Sequence, residues 1–140
     1  MSYLDFLKMS GNRPAFIIWN DASGSNNGGH KYCPPFSSQY ATSYSSKYAW
    51  KSPFRLVLRH FVVVVASNTT DGSIKFETYI QGVSGTLSVN VSAGTTGRFI
   101  DDTDSDILEE EELLSIHMDC TNSSSGGMFW RCWMIGEVLA

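Results

Sequence analysis

The stretch Arg55-Leu56-Val57-Leu58-Arg59-His60-Phe61-Val62-Val63-Val64-Val65-Ala66 constrains the fold more than any other part of the chain. It begins with apolar and polar residues in alternation and ends wholly apolar. That is the pattern of a strand buried on both faces at one end. Phe61 to Ala66 is also the longest unbroken apolar run, and it falls far short of the about 20 residues a membrane-spanning helix needs. No membrane partner is expected.

Two further runs, Ile74 to Ile80 and Thr86 to Ser92, alternate strictly and predict half-buried strands. The Gly-containing link Gln81 to Gly85 joins them as a hairpin. Ala15 to Trp19, stopped by Asn20-Asp21, reads as a first strand. Leu113 to Cys120 and Met128 to Ile135 read as the last two, with Thr121 to Gly127 as the turn between them. The loops are Ser23 to Gly29, Ala93 to Gly97 and the acidic Asp101 to Asp106. The 140 residues spend only 17% on charge but include 20 serines, 9 threonines and 12 glycines. Those residue types favour strands and turns over helices. Turns about every 8–12 residues predict an all-β protein, an antiparallel β-sandwich or jelly roll of about eight strands. With no internal linker, residues 14–140 form one domain. Residues 1–13, with apolar Tyr3, Leu4, Phe6 and Leu7, form an N-terminal arm too apolar to leave wet.

The charge balance is 10 Lys plus Arg against 14 Asp plus Glu, a net −4. A chain so charged has no general attraction to phosphate backbones, so nucleic acid is not an expected partner. The first residues lack the basic start and long apolar run of a signal peptide, which predicts a chain made in the cytosol. The three cysteines are then expected as thiols.

Possible chemistry is sparse. His30 and Cys33, like His117 and Cys120, are three apart and invite a four-ligand zinc site. An odd spacing on a strand, however, turns His117 and Cys120 to opposite faces. Asp102, Asp104 and Asp106 fit the first three ligand positions of an EF-hand loop, but Ile107 stands where Gly belongs and Leu113 where the final Glu belongs. These three aspartates remain weak metal candidates, and no cofactor is expected. The Gly-rich loop lacks the Lys-Ser/Thr of a phosphate cradle, and no Gly-x-Ser-x-Gly presents a nucleophile. The chain reads as a non-enzyme. Tyr40, Tyr44, Tyr48 and Trp50, among serines, are candidates for a ligand-contact surface, because such rings combine apolar area with a polar tip.

The stretch from Arg55 to Ile116 resembles a jelly-roll module of tailed-phage virion proteins, related to the tumour-necrosis-factor-like trimeric fold. The resemblance is carried by Val62 to Ser73, by Phe76-Glu77-Thr78-Tyr79-Ile80-Gln81-Gly82-Val83, by Thr86 to Val91, and by Ala93 to Gly97 with Asp101-Asp102-Thr103. Gln81-Gly82 stands where family members carry Asn-Gly, and Glu111-Glu112 where they carry Gly-Asp. The resemblance implies a virion location and a homotrimer that decorates and cements the capsid, with the major capsid protein as partner. It offers Phe61, Tyr79, Trp130 and Trp133 as trimer contacts and Tyr3, Leu4, Phe6 and Leu7 as the capsid-contact arm. The alternative it leaves is a receptor- or carbohydrate-binding module of a tail or fibre head, using Tyr40, Tyr44, Tyr48 and Trp50.

Overall fold

The computed structural model describes residues 13–25 and 28–139, with only the backbone described for 22–25. The arm residues Tyr3, Leu4, Phe6 and Leu7 lie outside the described residues. The described chain is all-β: two antiparallel sheets packed as a sandwich. Nine strands follow in order: β1 (Ala15–Ser25), β2 (His30–Cys33), β3 (Trp50–Lys51), β4 (Leu56–Asn68), β5 (Ile74–Ile80), β6 (Val83–Val91), β7 (Gly97–Leu108), β8 (Leu113–Asp119) and β9 (Gly127–Val138). One sheet has the order β1-β9-β4-β7. The other has β2-β8-β5-β6, with the short β3 also paired to β8.

Alternation along each strand builds the core. Ile18, Leu56, Leu58, Phe61 and Met134 of the four-stranded sheet meet Phe76, Leu87, Leu114, Ile116 and Met118 of the other. Fully burying each such side chain contributes about 1.5–3 kcal/mol. Phe61 and Trp130, offered above as trimer contacts, belong to this core, 0% and 5% exposed, and Trp130 packs edge-on to Phe76 with centroids 5.0 Å apart. Both rings are used in packing inside the subunit, so Phe61 has no surface to offer a second copy and Trp130 almost none. Cys33, Cys120 and Cys132 are free thiols in the same core, and burial pushes Cys33 up to about 12.

Several boundaries differ from the sequence expectation. β1 runs on through Ser25, because Gly127 to Phe129 of β9 continue the ladder past Asn20-Asp21. β6 starts at Val83, since Gln81 and Gly82 (φ 53° and 77°) alone make the turn. Residues 121–126 join β8 in one sheet to β9 in the other, so they are no hairpin turn. Asp71 holds that crossing by accepting bonds from the Ser124 and Ser125 N–H groups.

The largest correction concerns Asp101 to Asp106, which lie within β7 and not in a loop. Asp106 is buried and bridges the two sheets along one side of the sandwich. Its carboxylate accepts bonds from the Thr78 hydroxyl (2.6 Å), the Thr86 N–H (2.8 Å) and hydroxyl (2.9 Å), and the Leu87 N–H (3.1 Å). Asp101 accepts from the Ser88 N–H in the same manner. Gly85 makes the approach possible: a Cβ there would stand 2.7 Å from the Asp106 carboxylate and 2.3 Å from the Thr78 hydroxyl. Asp102 and Asp104 instead sit exposed, where the register advances from Ser105 back to Asp101 on β7 while β4 advances only from Arg59 to Phe61. His60, at φ 57°, is the matching bulge. The three weak metal candidates therefore do not converge, and among the described residues no group of three His, Cys, Asp or Glu is placed to hold a metal.

Burial pushes the Asp106 carboxyl up, but the donors of Thr78, Thr86 and Leu87 outweigh it and its pKa lies below the usual range. A depressed folded value means that the stabilisation is complete above the unfolded value, near pH 4, and is lost as pH falls through the folded one. Thermal unfolding followed by circular dichroism is expected to show a midpoint falling steeply below about pH 4. Asp106→Ala, which strands the buried Leu87 N–H and Thr78 hydroxyl and the half-buried Thr86 N–H, should lose about 2–3 kcal/mol and flatten that acid limb. An unchanged limb would assign the acid sensitivity elsewhere.

Candidate functional site

The inner face of the four-stranded sheet is core, and the outer face is unusually apolar. Strand register fixes which side chains line up there. Trp19 of β1 is opposite Trp133 of β9, Trp133 is opposite Val62 of β4, and Val62 is opposite Ile100 of β7. One apolar row thus crosses the whole sheet. Val62 is fully buried yet belongs to no part of the inter-sheet core, as expected for the centre of a row whose neighbours cover it. Adjacent rows add Ile17 beside Ile135, and Val57 beside Ile107. Exposure is high for such residues: Ile17 51%, Trp19 43%, Ile100 43%, Ile107 43% and Phe129 60%. Single exposed apolar side chains are ordinary, but a contiguous set marks a contact surface.

Charge frames the row on both sides. Toward one end, Glu137 pairs with Arg59 (3.0 Å) and Arg13 (3.8 Å). Toward the other, Asp21, Arg131, Val64 and Arg98 form the next row, and Asp21 lies 4.0 Å from Arg131. A groove of about 670 Å³, lined by Asp21, Ser38, Val64, Phe129 and Arg131, opens at this end. Tryptophan and arginine around an apolar centre, with a charged rim, is the composition of protein–protein contact centres.

The sequence-based candidates distribute differently. Trp133 is on this face. Tyr79 lies on the outer side of the other sheet, half-buried against Tyr32, Tyr44 and His117. Tyr40, Tyr44, Tyr48 and Trp50 share no ring contact among the described residues. Tyr40 covers the Lys31 ammonium at 4.2 Å, Tyr44 packs on Tyr32, Tyr48 ends a short 3-10 turn, and Trp50 packs edge-on to Phe16 and Phe36. The sequence reading missed Trp19, Ile17 and Ile100. Their signal was present: Phe16 to Trp19 is apolar without alternation, yet β1 is an edge strand.

A second cluster occupies the outer side of the five-stranded sheet. Register sets Tyr32 of β2, His117 of β8 and Glu77 of β5 side by side. The His117 Nδ1 is 2.8 Å from the Glu77 Oε1, and its Nε2 is 3.0 Å from the Nδ1 of exposed His30. Burial pushes Glu77 up, but bonds from His117, Ser84 and Lys75 bring it below the ordinary range, so it is a carboxylate at neutral pH. A carboxylate only accepts. The His117 Nδ1 therefore carries a proton and donates it to Glu77. Cys33 and Cys120 point into the core behind these histidines, so the sheet separates the two histidines from the two cysteines and excludes the four-ligand zinc site. The chain was compared with protein-family models, curated proteins and solved structures, and none of the three yields a match.

Proton–nitrogen correlation NMR is expected to show a proton on the His117 Nδ1, and a ring whose Nδ1 carries none would refute the assignment. His117→Phe, which leaves Glu77 with Ser84 and Lys75 alone, should cost about 1–3 kcal/mol in denaturant unfolding.

Proposed function

We propose that this chain is an assembly subunit: a jelly roll that forms a homotrimer and serves as a structural virion protein of a tailed phage, decorating and stabilising the capsid. The observation that carries the assembly part is the Trp19–Trp133–Val62–Ile100 row across the outer face of the four-stranded sheet. The strand orders β1-β9-β4-β7 and β2-β8-β5-β6, with β3 as an addition, support reading the sandwich as a jelly roll. That architecture divides eight strands between two sheets and recurs in viral capsid proteins. The virion setting, the major capsid protein as partner and the capsid-contact arm rest on the sequence resemblance. Trp133 remains a trimer contact in this reading, joined by Trp19, Ile17 and Ile100 in place of Phe61, Tyr79 and Trp130. Carbohydrate binding by Tyr40, Tyr44, Tyr48 and Trp50 has less support, because those rings are dispersed among separate partners.

Light scattering on a sizing column should give three times the 15.5 kDa chain mass. Trp133→Glu should give the single-chain mass with an unfolding midpoint within a few degrees of wild type. A wild-type chain that stays monomeric at tens of micromolar would overturn the reading. Co-sedimentation of the wild type, but not of Trp133→Glu, with undecorated phage heads tests the capsid half.

A further inference from the structure

The outer face of the four-stranded sheet ends at a corner where β1 enters it. There the Val138 N–H donates to the Pro14 carbonyl at 2.8 Å, Ala15 stands opposite Glu137, and Arg13 reaches the Glu137 carboxylate at 3.8 Å. Residues 1–12 lie outside the described residues, and Arg13 fixes their point of attachment at this corner. Trp19, the start of the apolar row, is four residues along β1 from Ala15, about 13 Å away. A segment of residues 1–12 spans about 18 Å as a helix and about 40 Å extended, so the row is within its reach. The face carries both signs of charge, Arg59, Arg98 and Arg131 with Asp21, Asp102 and Asp104, so charge selects no partner for it. Its apolar centre does.

The sequence of residues 1–12 matches the row in chemistry and in size. Tyr3, Leu4, Phe6 and Leu7 have the spacing that gathers side chains on one side of a helix, and Ser2, Asp5 and Lys8 fall on the other. A helix over residues 2–9 has a length of about 12 Å. The row Trp19–Trp133–Val62–Ile100 crosses strands about 4.8 Å apart and is about 14 Å long. One apolar stripe thus covers one apolar row, with its polar side left in water. Ser10-Gly11-Asn12, all turn-forming residues, stand between the stripe and Arg13, where the chain must reverse to lie back over its own sheet.

Tethering decides whose arm it is. A segment joined at the corner of the face meets its own row at an effective concentration in the millimolar range, well above that of a second copy at micromolar concentration. We infer that residues 2–9 seat on the Trp19–Trp133–Val62–Ile100 row of their own chain and cover it while the subunit is free. The seating of the arm stands on the observations above alone. Its consequence rests on the assembly reading: a second copy gains the row only as the arm leaves it, so the arm regulates the contact. In that reading the arm goes to the capsid, which makes its capture there and the uncovering of the row one event.

A nitroxide label on the polar side of the arm tests the seating in the full chain. Lys8→Cys takes the label, because the three native thiols are buried. With the label and nitrogen-15 on the same chain, diluted in unlabelled protein, the indole N–H signals of Trp19 and Trp133 should lose intensity. Adding Leu4→Asp and Leu7→Asp to the labelled chain should restore them. Loss seen only when label and isotope are on different chains would give the row to a neighbour's arm and overturn the inference, while the assembly reading stands. Loss in neither sample would also overturn it. Light scattering then tests the regulation: Leu4→Asp with Leu7→Asp, on an otherwise unaltered chain, should associate at a roughly tenfold lower concentration than wild type. Association that is unchanged or weaker overturns the competition between arm and second copy. A wild type and an arm variant that both stay monomeric, with same-chain signal loss intact, would remove the assembly reading and leave the seated arm.

Discussion

One buried carboxylate closes this sandwich. Two twisted sheets bury apolar faces against each other readily, but at their sides the backbone groups of the edge strands must find partners or remain in water. On the β6–β7 side the partner is the side chain of Asp106, with Asp101 beside it. Each reaches out of one sheet to accept N–H groups of the other. The arrangement explains several local features at once. Gly85 lacks a side chain because the carboxylate fills that space, Thr78 turns its hydroxyl inward, and β7 has a bulge between its two inward-facing aspartates. Ionised acids so deep in a fold stay charged because they are fully hydrogen-bonded, and each such bond carries more than its neutral counterpart.

That closure also marks the limit of what could be read from the residues. The strands with strict alternation, Ile74 to Ile80 and Thr86 to Ser92, and the long apolar run of β4 were legible, because period and burial are local properties. From the residues alone Asp101 to Asp106 reads as a loop, because a run of acids normally belongs in water. Only the tertiary arrangement supplies the β6 amides that make two of them interior. The link after β8 reads as a hairpin turn for a similar reason. Its Thr, Ser and Gly composition fits any turn, and nothing local distinguishes a hairpin from a passage between sheets.

The candidate surface divides in the same manner. Trp133 could be singled out as a large ring in an alternating strand, but Phe61 and Trp130 could not be told from it without the register. A shift of one residue reverses the face of every side chain that follows, and His60 introduces such a shift next to Phe61. The two-sided apolar end of β4 was legible, and its second face proved to be the floor of the outer row at Val62. Beside this, the Glu77–His117–His30 chain was invisible: residues distant in sequence meet only because β2, β5 and β8 are neighbours.

The placement of the three thiols has a consequence of its own. Cys33, Cys120 and Cys132 are sealed between the sheets, and burial holds Cys33 and Cys132 as protonated thiols far above neutral pH. The thiolate is the species that attacks disulfides and reacts with oxidants. A molecule built this way can move from reducing to oxidising surroundings with its sulfur chemistry silent while it remains folded.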